Sequence, residues 1–220
     1  SWGDFHSFKS RAALEFECFT MLALNGKCSV GDQLHPRGRI CPHTYDLVGS
    51  VFSQVEEKEP WCTKAVPEVE IAVLNPEEFT RGGHTGLPKG SQGVTQMLQE
   101  GRLQFDFIDT QTDLDAYRLV VLPDDIPVSP AFARKVERFV KKGGAVIASA
   151  EAGLWPDGSE FALPCLGVSR KGNAPFEPDF IRPRGAIGKG LPATEHVMYI
   201  RGQEVKARKG AKVLARTVLP

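Results

Sequence analysis

Residues 117–149 read YRLVVLPDDIPVSPAFARKVERFVKKGGAVIAS, and this stretch decides the fold. Two short apolar runs, Leu119–Leu122 and Ala145–Ala148, flank a segment with helical signals. Ser129 is a typical N-cap residue, and Pro130 suits the first helical position. Short strands that are apolar throughout and are joined by a helix are typical of a parallel sheet covered on both faces. The stretch therefore predicts strand, helix and strand of an α/β fold.

Further signals of the same kind precede this stretch. The apolar runs Val69–Leu74 and Phe105–Ile108 predict two more strands, and Val94–Gln99 predicts a short helix. Residues 80–93 are rich in glycine and predict a long surface loop that is mobile or contacts a partner. The whole pattern predicts an α/β, flavodoxin-like parallel sheet with helices on both faces.

The remainder of this half carries weaker signals. Residues 151–195 contain many prolines and few periodic apolar positions, which predicts irregular structure. Val197–Ile200 and Val213–Val218 could supply edge strands. We therefore expect one domain over residues 69–220.

The N-terminal part has a different organisation. Residues 11–24 form an apolar run of good helix formers, and we expect this helix to be buried on nearly every side. Residues 27–31 predict a short strand, and a second helix is expected from Pro42 to Glu59. Residues 1–60 therefore read as strand, helix, strand, helix, and residues 61–68 as a linker.

Composition excludes some functions. Lys plus Arg and Asp plus Glu number 27 each, so the formal net charge is zero, which argues against a nucleic-acid binder. No apolar stretch approaches the ~18 residues of a membrane span. The five cysteines lack close pairing, which fits a reducing compartment, and we expect a cytoplasmic protein.

Possible nucleophiles do not match known patterns. A hydrolase on such a sheet needs a Ser or Cys at a sharp turn after a strand, usually G-x-S/C-x-G. Ser149 follows the strand 145–148 without that pattern, and Cys165 lies in the apolar context LPCLG, which predicts a core thiol. A hydrolase using either residue remains an alternative.

Cofactor and metal signals are weak. Residues 188–193 match G-x-G-x-x-A, but no predicted strand precedes them and Pro192 would interrupt the helix start. One combination of residues offers the ligand types of a zinc site: Cys28, His35, Cys41 and His43. Their spacing matches no standard zinc finger. We predict no cofactor and no metal site.

A more informative polar cluster follows the two expected N-terminal strands. The carboxyl ends of parallel strands carry the sites of α/β barrels. An aromatic ring can stack on a sugar, and polar groups can bind its hydroxyls, whereas ordinary loop residues are the alternative. The candidate substrate-binding residues are Trp2, Asp4, His6, Asp32, Gln33 and His35.

The segments 117–123 and 129–149 together resemble the trimerisation domain of family 42 β-galactosidases. That resemblance implies a class I glutamine amidotransferase-like fold without the amidotransferase nucleophile. The segment Ser1–Asp4, the helix ending at Gly26 and residues 27–33 resemble the end of the catalytic barrel of such enzymes. The resemblance thus implies that residues 1–60 are the last two β/α units of a TIM-type barrel.

The resemblance also implies a retaining mechanism with two glutamates, both upstream of Ser1, so that no catalytic residue is expected within this chain. Trp2 matches a family tryptophan near the site. The signature expected in the last barrel strand is replaced by Ser29–Gln33, which points to a divergent relative. Both chain ends are expected to be cut from a longer protein.

These observations lead to one expectation and two alternatives. We expect a fragment of a glycoside hydrolase-like protein that is inactive alone. Its full-length form would take a carbohydrate substrate and form a homo-oligomer, a trimer by resemblance, without nucleic acid or membrane partners. The alternatives are a self-contained amidotransferase-like hydrolase and an interaction module that uses residues 80–93.

Overall fold

The computed structural model describes residues 7–33, 35–79 and 88–218. The chain divides into two compact units, with the boundary between Glu68 and Val69. Each unit has its own buried core. They are therefore described separately.

The first unit is a pair of helices. Helix α1 spans Arg11–Ala23 and α2 spans Pro42–Cys62. Ser10 Oγ accepts a hydrogen bond from the Ala13 N–H at 3.2 Å and caps α1. The helices pack through a small core whose members are Leu14, Cys18, Leu22, Val51 and Val55.

Two sequence expectations for this unit are wrong. Residues 27–31 form no strand among the described residues, because no second strand of this unit pairs with them. Helix α1 is buried along one side only, and the Phe16 side chain is 72% exposed. In addition, α2 continues three residues past Glu59 and includes Pro60 in its last turn.

The second unit contains the predicted parallel sheet. Its strands are β1 (Ile71–Leu74), β2 (Phe105–Ile108), β3 (Leu119–Leu122) and β4 (Ala145–Ala148). They lie in the order β2-β1-β3-β4, and every pair is parallel. This order is the flavodoxin-like one, so the fold class is confirmed.

One helix covers each face of this sheet. Helix α4 (Pro130–Lys141) packs Phe132, Val136 and Phe139 onto one face. Helix α3 (Lys89–Glu100) packs Val94 and Leu98 onto the other. Because α3 begins at Lys89, the predicted loop 80–93 is wrong for residues 89–93, and residues 80–87 lie outside the described residues.

The rest of the second unit is an antiparallel arrangement that the sequence did not predict. Residues 151–195 are not wholly irregular, since they contain β5 (Val168–Asn173) and β6 (Asp179–Pro183). Three more strands complete it: β7 (His196–Met198), β8 (Gln203–Ala207) and β9 (Ala215–Val218). Strand β5 pairs with β8, and β6 lies between β7 and β9. The predicted edge strands at 197–200 and 213–218 are thus confirmed in shortened form.

Candidate functional site

The carboxyl ends of β3 and β4 carry a hydrogen-bonded pair. Ser149 Oγ donates to Asp124 Oδ1 at 2.7 Å, and the Asp124 backbone N–H donates to Ser149 Oγ at 3.1 Å. A Cβ added to Gly90, near the start of α3, would lie 2.8 Å from Asp124 Oδ2. The first turn of α3 therefore lies against the Asp124 carboxylate.

Sequence reasoning missed this pair. Asp124 follows β3 after Pro123, Ser149 follows β4 directly, and neighbouring parallel strands bring their carboxyl ends together. That signal could have found the pair.

Neither possible nucleophile has the surroundings of a catalytic one. Among the described residues, the side chain bonded to Ser149 is the Asp124 carboxylate, whereas a serine nucleophile needs a base such as histidine. Cys165 is exposed, so the prediction of a core thiol is wrong. Although the residue is exposed as a whole, neighbouring atoms partly desolvate its sulfur and raise the pKa of the thiol, which lowers the reactive thiolate fraction. The geometry gives no support to the amidotransferase-like hydrolase.

The carboxylates that follow β1 and β2 accept hydrogen bonds from the loop after β2. Glu78 Oε2 accepts a hydrogen bond from the Thr110 N–H at 2.8 Å, and Lys135 Nζ donates to the Thr110 carbonyl at 2.8 Å. Asp109 Oδ1 accepts from Thr112 Oγ1 at 2.7 Å. Hydrogen bonds from the Thr112 hydroxyl and N–H lower the pKa of Asp109. These groups fix the loop after β2 rather than face one reacting bond.

The structure describes half of the predicted sugar-binding residues. Trp2, Asp4 and His6 lie outside the described residues. Asp32 and Gln33 are exposed, whereas His35 is half-buried and its Nδ1 accepts a hydrogen bond from the Arg37 N–H at 3.2 Å. Their joint role in binding a sugar stays a prediction.

The alternative metal and cofactor motifs do not form sites. In the described part of the chain, no three His, Cys, Asp or Glu side chains form a group that could hold a metal ion, so the imagined zinc set is not assembled. The G-x-G-x-x-A match at 188–193 leads into β7, not into the helix that a dinucleotide loop requires. None of the helices in residues 7–33, 35–79 and 88–218 has the length and apolar character to cross a membrane.

Residues 96–159 match the family model described as the β-galactosidase trimerisation domain, a family 42 glycoside hydrolase model. The matched range contains β2, β3, α4 and β4. The protein is family 42-like. The resemblance that residues 117–149 predicted is thereby confirmed.

Solved structures agree with this family 42-like fold. The chain is similar to α-L-fucosidase isoenzyme 2 from Paenibacillus thiaminolyticus, with 35% identity and a TM-score of 0.85 over 99% of this chain and 33% of that one. It is similar to a β-galactosidase from Bacillus circulans sp. alkalophilus, with 20% identity and a TM-score of 0.70 over 98% of this chain and 37% of that one. It is also similar to the family 42 β-galactosidase Gan42B from G. stearothermophilus, with 16% identity and a TM-score of 0.72 over 98% of this chain and 35% of that one.

These similarities cover only part of each relative. The family 42-like chain spans about one third of the length of each of these relatives. The two β-galactosidases share the fold with it at low identity. No curated protein matches the chain significantly.

Proposed function

We propose that the chain is part of a glycoside hydrolase-like protein and that its α/β unit joins copies of that protein instead of performing catalysis. The observation that carries the proposal is the match of residues 96–159 to a trimerisation domain. This range contributes most of the central sheet and the whole of α4. The function we propose for it is therefore oligomerisation, with a trimer as the expected assembly.

The chemistry of the α/β unit supports a non-catalytic role. Glycoside cleavage commonly needs two carboxylates on either side of the scissile bond, one of them a free acid or nucleophile. At the carboxyl ends of the strands, Glu78 and Asp124 accept hydrogen bonds from neighbouring loops, and Asp109 accepts them from its own loop. These bonds hold the carboxylates as structural acceptors.

We further propose that the first unit belongs to the catalytic barrel and contributes to carbohydrate binding in the complete protein. Support comes from residue chemistry alone, since an indole, two carboxylates and two imidazoles suit a sugar ring and its hydroxyls. The proposed contact residues are Trp2, Asp4, His6, Asp32, Gln33 and His35.

Two measurements on the purified 220-residue chain test the proposal. Light scattering should give three times the mass of one chain. Assays with aryl β-galactosides and aryl α-L-fucosides, the sugars named for the relatives, should show no hydrolysis above the buffer rate. A chain that stays monomeric at every concentration would contradict the oligomerisation role, and hydrolysis would contradict the non-catalytic role.

A further inference from the structure

Helix α4 carries a row of cations on the side that faces away from the sheet. The row consists of Arg134, Arg138 and Lys141, which follow at spacings of four and three residues and are all exposed. Such spacing places them along one helix face. We call this row the basic stripe.

The basic stripe forms no ion pair with any part of the chain that the structure describes. Among the described residues, no carboxylate oxygen lies within 4.0 Å of its side-chain nitrogens. The neighbouring Lys142 is already paired with Asp115 at 2.6 Å. The helix dipole favours cations in the last turn but does not explain Arg134, which lies in the first half of α4. Three unpaired cations on one face indicate a surface that receives carboxylates from elsewhere.

A complementary surface exists on the same unit. Asp125 follows β3 and Glu151 follows β4, and both are exposed. The Glu151 N–H donates to the Asp124 carbonyl at 3.0 Å, which holds the two turns together. Glu151 Oε1 also accepts a long hydrogen bond of 3.5 Å from Gln203 Nε2. We call Asp125 and Glu151 the strand-end carboxylates.

The two surfaces lie at different places on one molecule. Helix α4 starts shortly after Asp125 and runs 12 residues back along the sheet, a length of about 18 Å, so Lys141 in its last turn lies far from the strand ends. Arg134 lies nearer to them, but among the described residues no ion pair joins the basic stripe to the strand-end carboxylates. Both lie inside residues 96–159, the range that matches the trimerisation domain.

Symmetry relates these two surfaces to a trimer. A cyclic trimer uses a heterologous interface, in which one patch of each copy contacts a different patch of the next. Two complementary patches on one unit satisfy this requirement, whereas a single self-complementary patch would give a two-fold dimer. We propose that the basic stripe of one copy binds the strand-end carboxylates of the next copy and so closes the ring. This inference rests on the proposed oligomerisation function.

Charge reversal with rescue tests the proposal on the full 220-residue chain. Arg134→Glu with Arg138→Glu should raise the dissociation constant of the oligomer by on the order of tenfold or more, because like charges would face each other. Asp125→Lys with Glu151→Lys should do the same. The four substitutions together should restore the trimer, and added salt should weaken the wild-type trimer. The control is Lys209→Glu with Lys212→Glu, which makes the same charge change at exposed positions beyond β8.

The oligomer masses of these variants distinguish the proposed contact from the proposed oligomerisation function. A wild-type trimer that dissociates in each reversed pair and re-forms in the fourfold variant supports the contact. A wild-type trimer that survives reversal of the basic stripe overturns it and leaves the oligomerisation function standing. If reversal of the basic stripe abolishes binding to a heparin column while the trimer persists, the proposed contact is also overturned, because the stripe would then bind a polyanion instead of the next copy. A wild-type monomer overturns both.

Discussion

Asp124 connects three parts of the α/β unit through one carboxylate. Its Oδ1 accepts from the Ser149 hydroxyl, and its own N–H donates back to that hydroxyl. Its Oδ2 lies so close to Gly90 that a Cβ there would approach to 2.8 Å. The turns after β3 and β4 and the start of α3 are thus fixed by one residue.

Gly90→Ala should therefore destabilise the unit. The new Cβ must displace a carboxylate that is held on its other side by Ser149, and overpacking of this kind costs about 1–3 kcal/mol. The free energy of unfolding in urea measures the effect. Gly93→Ala is the matched control, because this glycine of the same helix has no heavy atom near its Cβ position. There the substitution should stabilise by about 0.5–1 kcal/mol, since alanine favours the helix. Equal effects at the two positions would refute the close approach.

Glu160 is one of the residues that should link stability to pH. Its Oε1 accepts hydrogen bonds from the Arg170 N–H at 2.7 Å and from the Phe161 N–H at 2.9 Å. These bonds, the one from Arg170 first, lower the pKa of Glu160 below its ordinary value. A carboxylate with a lowered pKa in the folded state stabilises that state above its unfolded pKa, and this contribution is lost as the pH falls through the folded value.

Glu160→Gln should remove that part of the pH dependence. The difference in unfolding free energy between the wild type and Glu160→Gln should be largest near neutral pH and should shrink as the pH falls below the ordinary glutamate range. Urea unfolding at a series of pH values measures it. The control is Glu204→Gln, which removes the same charge at an exposed position of β8 in the same unit and should retain the pH dependence that Glu160 confers. A Glu160→Gln difference that is constant with pH would contradict the assignment.

At the scale of elements, the side chain of Ser129 caps the start of α4. Ser129 Oγ accepts a hydrogen bond from the Phe132 N–H at 3.2 Å, and Pro130 occupies the first turn, where its missing N–H costs nothing. Further along the helix, three side chains are buried against the sheet: Phe132, Val136 and Phe139. Capping and packing therefore favour the same helix.

Ser129→Ala should destabilise the protein by about 1 kcal/mol, because the cap hydrogen bond is lost while the buried face is unchanged. Ser129→Asp should retain the wild-type stability, since a carboxylate also accepts from the N–H and suits the positive end of the helix dipole. The midpoint of urea unfolding measures both. A loss in both variants would show that the hydroxyl acts in some way other than as an N-cap.

The elements also show where sequence reasoning succeeds. Strands β2, β3 and β4 were predicted with their observed bounds, because each is a short apolar run between clear breaks. Strands β5 and β6 were missed, because VSRKGN and DFIRP lack apolar alternation and, apart from Asp179, their residues are exposed or half-buried. For residues 27–31 the error is the reverse: a strand was predicted there, but a strand-like composition forms no strand without a partner to pair with.

At the scale of the whole molecule, the chain has two units with separate buried cores. A chain of residues 69–220 should therefore unfold cooperatively by itself, with circular dichroism and tryptophan fluorescence giving one coincident transition. Residues 1–68 should not, because five buried side chains between two helices offer too little apolar burial to offset the entropy of ordering. Failure of residues 69–220 to fold would mean that their core is incomplete.

Some functional features of the molecule could be predicted from the sequence, and others could not. The trimerisation-domain resemblance could be found in the sequence because it rests on the most regular part, residues 117–149. The strand ends could have indicated the Asp124–Ser149 pair, whereas the basic stripe could not be recognised from the sequence, because its significance depends on which charges have partners. Spacing shows that Arg134, Arg138 and Lys141 share a helix face, whereas only the structure shows that none of them forms an ion pair within residues 7–33, 35–79 and 88–218.

The unpaired segment 27–33 has a consequence for the exchange of amide hydrogens with solvent. Its N–H groups donate to no backbone carbonyl of the described residues, whereas those of Leu119–Leu122 lie in a central strand with neighbours on both sides. Deuterium should therefore enter residues 27–33 at the rate of an unfolded peptide, and should enter β3 only when the α/β unit opens as a whole. If another polypeptide segment pairs with residues 27–33, their deuterium uptake should slow on its addition, so mass spectrometry of this peptide reports that pairing.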